Sequence, residues 1–168
     1  GADTITTDEE RGAALAVQHL VELGHTDIVH IDGAANISSR ARARGYEKAM
    51  RSLGLEPRIL RGGDDEADAE AAIVNLAETD SMPTAIFAFN DLVAAGALST
   101  LEAAGLRVPD DVSVVGYDNT FIAELNHMSL TTVNQPRHQM GQLAIRTALE
   151  RIEDDRTEPT RIDLAPTL

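Results

Sequence analysis

Two apolar rhythms alternate along the chain. Ala13, Val17, Leu20 and Val21 fall at i, i+4, i+7 and i+8, the spacing of one helix face. Thr7-Asp8-Glu9-Glu10, just ahead of them, reads as a capping box, and Gly24 supplies a left-handed stop. Residues 27–33 form a β-branched run closed by glycine, a strand. Residues 34–39 are polar and irregular, a loop, and residues 40–53 form a second helix stopped by Gly54. The pattern then repeats. Residues 58–60 make a weak strand, and Gly62-Gly63-Asp64-Asp65 a turn. Ala69, Ala72, Ile73, Leu76 and Ala77 mark another helix face, which Met82-Pro83 breaks. Residues 85–89 predict a strand, and Asp91 stands where it can cap a helix that Gly105 ends. Residues 112–117 give a further strand, 130–133 a short extended piece, 136–153 a helix and 161–164 a last strand.

Strands alternating with helices imply βαβ units, an α/β fold with a parallel sheet flanked by helices. The short, almost wholly apolar strands suit a sheet covered on both faces. No internal repeat or low-complexity tract interrupts them.

Composition narrows the function classes. The chain has 168 residues, 43% of them hydrophobic, so one domain can bury a core. The absence of cysteine removes disulfides, thiolate nucleophiles and cysteine-based zinc sites together, and fits a cytoplasmic location. A net charge of −14 repels a phosphate backbone, so these residues are a poor nucleic-acid reader and a soluble surface. No apolar run is long enough for a membrane span, and no signal segment opens the chain.

In open parallel sheets ligands bind beyond the carboxyl ends of the strands. That rule selects Asp32-Gly33 leading to Asn36, Ser38 and Arg42, then Asn90-Asp91, Asp118-Asn119 and Asn134-Gln135. Such amides, carboxylates and guanidinium forks suit hydroxyls, amides or heterocycle edges. Each residue also has a plainer reading. Asn90-Asp91 can be a strand end with a helix cap, Asp118-Asn119 a turn, and Arg42 a surface arginine beside Arg40 and Arg44. Singly those readings win; together, polar groups on one rim are harder to dismiss. Signs of catalysis are absent. There is no nucleophile elbow, no phosphate-binding glycine loop and no dinucleotide fingerprint. His19, His25, His30, His127 and His138 include no pair at helical metal spacing. No enzyme, cofactor or metal is expected, and His30 reads as a strand residue packed against a helix.

Several ordered motifs resemble the LacI-type repressors. Leu23-Gly24-His25 precedes a strand ending in Asp32-Gly33, and Arg42-Ala43-Arg44-Gly45-Tyr46 is similar to their R-x-x-G-[FY]. Pro83-Thr84-Ala85-Ile86 leads to Asn90-Asp91. Val108-Pro109-Asp110-Asp111-Val112-Ser113-Val114-Val115-Gly116-Tyr117-Asp118-Asn119 follows V-P-x-D-V-S-[VL]-[VI]-G-[FY]-D-[DN]. Leu130-Thr131-Thr132-Val133-Asn134-Gln135-Pro136 and Met140-Gly141 complete the set. The resemblance implies a Rossmann-like lobe of a periplasmic-binding-protein-like type I fold, with effector held between two lobes. It implies a carboxyl-terminal lobe over 1–135, a helix of the other lobe over 136–155, and a returning strand segment over 156–168. It assigns effector contacts to Asn36, Ser38, Arg42, Asn90, Asp118 and Gln135, with Arg42 as anchor.

The resemblance further implies a cytoplasmic homodimer, joined through Ala95, Leu98, Phe121 and Leu125 within the apolar 92–98 helix and the 121–127 segment. Operator DNA would be met only through a headpiece outside these residues. The 136–153 helix carries Met140, Leu143, Ala144, Ala148 and Ile152 on one side, a stripe expected to dock on the other lobe, a neighbouring chain or its own lobe. Two departures stand out. Gly62-Gly63-Asp64-Asp65-Glu66 has no aromatic where many relatives stack one on the effector, and Met128-Ser129 replaces a usual proline. The competing classes are a periplasmic sugar-binding protein of a transport system and a Rossmann-like enzyme.

Overall fold

The computed structural model describes residues 1–79, 81–126 and 128–168. In chain order the elements are β1 (Thr4–Thr7), α1 (Glu9–Glu22), β2 (Ile28–Asp32), α2 (Ile37–Ser52), β3 (Arg58–Arg61) and α3 (Glu66–Glu78). They continue with β4 (Ala85–Ala88), α4 (Asp91–Ala103), β5 (Ser113–Asp118), β6 (Thr131–Asn134), α5 (Arg137–Glu153) and β7 (Arg161–Leu164).

The expected parallel sheet is present. Five strands run parallel in the order β3-β2-β4-β5-β6. Because side chains alternate along a strand, β4 sends Ile86 and Ala88 to one face and Ala85 and Phe87 to the other, and all four are buried. On one face α3 and α4 supply Ile73, Leu76, Val93, Ala97 and Leu101. On the other, α1 and α2 supply Val17, Leu20, Tyr46 and Met50. The two helices of that second layer meet closely at Gly45, where an added Cβ would lie 2.3 Å from the Glu10 carbonyl oxygen. His30 behaves as its strand position predicts. It is fully buried and stacks on Phe87 at 4.6 Å, with the Tyr46 ring of α2 at 5.3 Å.

Several local readings change. Thr7 does not cap α1; it is the last residue of β1, and Asp8 caps the helix by accepting from the Arg11 amide at 3.0 Å. Strand β1 itself had no sequence signal. It pairs with β7 in a separate two-stranded parallel sheet, against which α5 packs. Helix α2 begins at Ile37, so the expected 34–39 loop is shorter, because Asn36 caps it from an extended backbone. The cap of α4 is Asn90 and not Asp91, whose carboxylate is buried.

Helix α4 is also less enclosed than its composition suggests. Leu92 is exposed and Ala95 and Leu98 are half-buried, while α3 covers the Gly96 side. The stripe on α5 is rotated from the expected one. Met140 and Leu143 are half-buried and Thr147 is buried, whereas Ile145, Leu149 and Ile152 are exposed beside Ala144 and Ala148. Of the expected pairing segment, Phe121 and Leu125 are exposed, and His127 lies outside the described residues. No helix among the described residues is long and apolar enough to cross a membrane.

Candidate functional site

A cleft of about 1160 Å³ opens between the carboxyl end of the five-stranded sheet and the β1-β7 unit. It lies where the connections diverge to either side of β2 and β4, the switch point at which open α/β sheets hold ligands. From one side come the start of α1 and the first turns of α2; from the other, the β1 strand and Arg161 and Asp163 of β7.

Arg42 is the centre of this arrangement. It sits two turns into α2 and is 3% exposed. Its Nε donates to Glu9 at 2.8 Å, one terminal nitrogen to the Phe89 carbonyl at 2.5 Å, and the other to Asp118 at 3.1 Å. The guanidinium also lies over the rings of Tyr117 at 3.6 Å and Phe89 at 4.6 Å. A buried cation survives only when its charge is matched, and here two carboxylates, a carbonyl and two π faces surround it.

Asp118 ends β5 and holds φ at 102°, followed by Asn119 at 50°, a backbone region that L-residues seldom adopt. The turn is braced from behind. Buried Asp91 accepts from the Thr120 amide at 2.6 Å, the Thr120 hydroxyl at 2.8 Å and the Thr132 hydroxyl at 2.6 Å. The Asp118 carboxylate also accepts from Gln135 at 2.5 Å, and Gln135 in turn accepts from the Thr7 hydroxyl at 3.2 Å. Burial pushes the Asp118 carboxyl above the usual aspartate range, and the nearby Arg42 and Gln135 hold it back. Burial likewise raises the Tyr117 hydroxyl, whose oxygen finds no partner among the described residues.

Five of the six residues chosen from sequence line this cleft: Asn36, Ser38, Arg42, Asp118 and Gln135. Asn90 does not. Its amide is committed to capping α4 at Val93 and to the Asp64 carbonyl. Glu9 also lines the cleft and was not chosen from the sequence. Its only signal was the first turn of α1, and that turn becomes part of a rim only once β1 is known to precede it. Ser39 was also missed; it is buried and donates to Asp32 at 2.6 Å, fixing the start of α2 against the end of β2.

A parallel sheet with an open cleft at its carboxyl ends, centred on a buried, charge-matched arginine, has the form of a small-molecule-binding lobe. Comparison with known proteins agrees. A family described as "periplasmic binding protein-like domain" matches residues 17–168. The HTH-type transcriptional repressor PurR of Aliivibrio fischeri is 39% identical over 170 residues, covering 98% of this chain and 50% of the relative. A LacI transcriptional regulator from a Rhodococcus species superimposes with a TM-score of 0.92 at 38% identity, covering 96% of this chain and 60% of that one. A ribose-bound LacI family regulator from Enterococcus faecium gives 0.89 at 31% identity, covering 98% and 62%. The chain belongs to the periplasmic binding protein-like family, in the form that LacI-type transcriptional regulators carry as their effector-binding domain. The chain spans about half the length of the curated relatives it matches.

Proposed function

We propose that the chain senses a small polar effector and thereby controls DNA binding through a segment outside these 168 residues. The observation that carries this reading is the Arg42–Asp118 pair, at 3.1 Å, on the wall of an open cleft. Asn36 and Ser38 supply further polar groups on the α2 side, and Gln135 does so at the crossing into α5. The net charge of −14 supports a division of labour in which DNA is met elsewhere. The ribose bound by the Enterococcus relative supports a sugar or a comparable polar ring as effector. The exposed Phe121, Leu92 and Leu125 support a homodimer formed through the α4 side, with Ala95 and Leu98 at its edge. Such a regulator works in the cytoplasm.

The test is calorimetry of the purified protein against pentoses, disaccharides and nucleobases. Arg42→Ala and Asp118→Ala are each expected to weaken binding of the active compound by about 1–3 kcal/mol, the cost of leaving a polar partner unpaired. Unchanged affinity in both variants removes the pair from the site.

A further inference from the structure

Resting on the effector-binding reading of the cleft, the charge around Arg42 narrows the chemistry of what it takes. The Arg42 side chain is only 4% exposed, and two carboxylates already hold it, Glu9 at 2.8 Å and Asp118 at 3.1 Å. The Phe89 carbonyl takes a third donor, and part of the guanidinium's donor set stays free. Both contacts to Asp118 end on Oδ1 and the contact to Glu9 ends on Oε2. One oxygen of Asp118 therefore keeps its capacity to accept from a ligand.

The other arginines on the lining do not change the balance at this point. Arg44 is tied to Glu10 and Arg161 to Asp163, and Arg40 lies exposed at the rim. A neutral ligand bearing hydroxyl or amide groups can donate to the free carboxylate oxygen and accept from the remaining guanidinium N–H groups. A carboxylate or phosphate would bring at least a third negative charge to a cation that already faces two. It would have to expel Glu9 or Asp118, or lie beside them unpaired, and like charges in close contact cost several kcal/mol. We infer that Glu9 is a specificity-determining residue: with Asp118 it neutralises Arg42, so that the cleft accepts uncharged, hydroxyl- or amide-bearing ligands and rejects anions.

Inorganic sulfate is the probe. The Nε–H signal of Arg42 in the purified protein is followed by nuclear magnetic resonance as sulfate replaces chloride at constant ionic strength. In the wild type the signal is expected to stay in place. In Glu9→Gln, which keeps an acceptor for Nε but removes the charge, it is expected to move saturably, with affinity raised roughly tenfold or more. Glu9→Asp restores the charge and is expected to restore the exclusion, which a merely structural role for Glu9 would not do. Saturable sulfate binding at Arg42 in the wild type overturns the inference, and this arm decides even if Glu9→Gln does not fold. A folded Glu9→Gln that ignores sulfate also overturns it. If the sulfate responses separate as expected while no sugar or nucleobase binds, the charge gate stands and the effector-sensing reading falls instead.

Discussion

His30 shows how far a single position is decided by its surroundings. Its ring is fully buried between Phe87 and Tyr46, and Nδ1 lies 2.9 Å from the Phe87 carbonyl, so that nitrogen carries the hydrogen. Nε2 has no hydrogen-bond partner among the described residues and stands 3.8 Å from Asp32. Burial pulls the ring from its ordinary 6.5 to about 4; the Phe87 carbonyl and Asp32 oppose the fall, and Arg42 adds to it. The unfolded chain therefore takes up this proton first. The stability gained by keeping the ring neutral is whole above pH 6.5 and is lost as pH falls from 6.5 towards about 4. Each unit of difference is worth about 1.4 kcal/mol. Denaturant unfolding of the wild type should lose stability across that window, and His30→Phe should flatten that part of the slope. Parallel pH profiles for the two proteins would remove His30 from the account. The sequence showed a histidine in an apolar strand. It did not show the neighbours that set its proton affinity.

Among the elements, α5 departs furthest from its sequence reading. The rhythm of Met140, Leu143, Ala144, Ala148 and Ile152 correctly marked an amphipathic helix, but a period cannot say which edge of a broad apolar stripe will be covered. The β1-β7 sheet lies beneath one edge, taking Thr147 inward and half-covering Met140 and Leu143. Ile145, Leu149 and Ile152 remain outside. Substituting glutamate at Ile145 or Ile152 should then leave thermal stability within about 0.5 kcal/mol, as for most exposed positions. It should also reduce concentration-dependent association in light scattering, because contiguous apolar surface drives such contacts. A large loss of stability would mean that the stripe is already covered within the chain. Strand β1 was missed for a related reason. Thr4–Thr7 carries little hydrophobic signal, and its strand character comes from β7, more than a hundred and fifty residues away.

At the scale of the whole molecule, the cleft has two walls of unequal size. The five-stranded sheet and its helices supply Arg42 and Asp118, and the small β1-β7 unit faces them with Thr6, Thr7, Arg161 and Asp163. Gln135 joins the two, bonded to Asp118 on one side and Thr7 on the other. The resemblance implies that this chain supplies one of two lobes, and a single lobe would bury less of a ligand than a complete pair. The 168-residue chain is therefore expected to bind effector roughly tenfold or more weakly than a protein of the relatives' full length. Side-by-side calorimetry tests this, and equal affinities would mean that one lobe holds the entire site.

The sequence by itself determined the α/β alternation, the parallel sheet, five of the six chosen cleft residues and the family, because these rest on local periodicity and on ordered motifs. The rest belonged to tertiary structure. Asn90 was drawn to a helix cap because its side chain reaches the Val93 amide in its own neighbourhood. Asp91, read from the sequence as that cap or as a rim group, became instead the buried brace of the Thr120 turn. Glu9 joined the site because the packing of α1 on α2 carried it to Arg42, thirty-three positions along the chain. A charge gains its meaning from the charges it meets, and those meetings are made by folding.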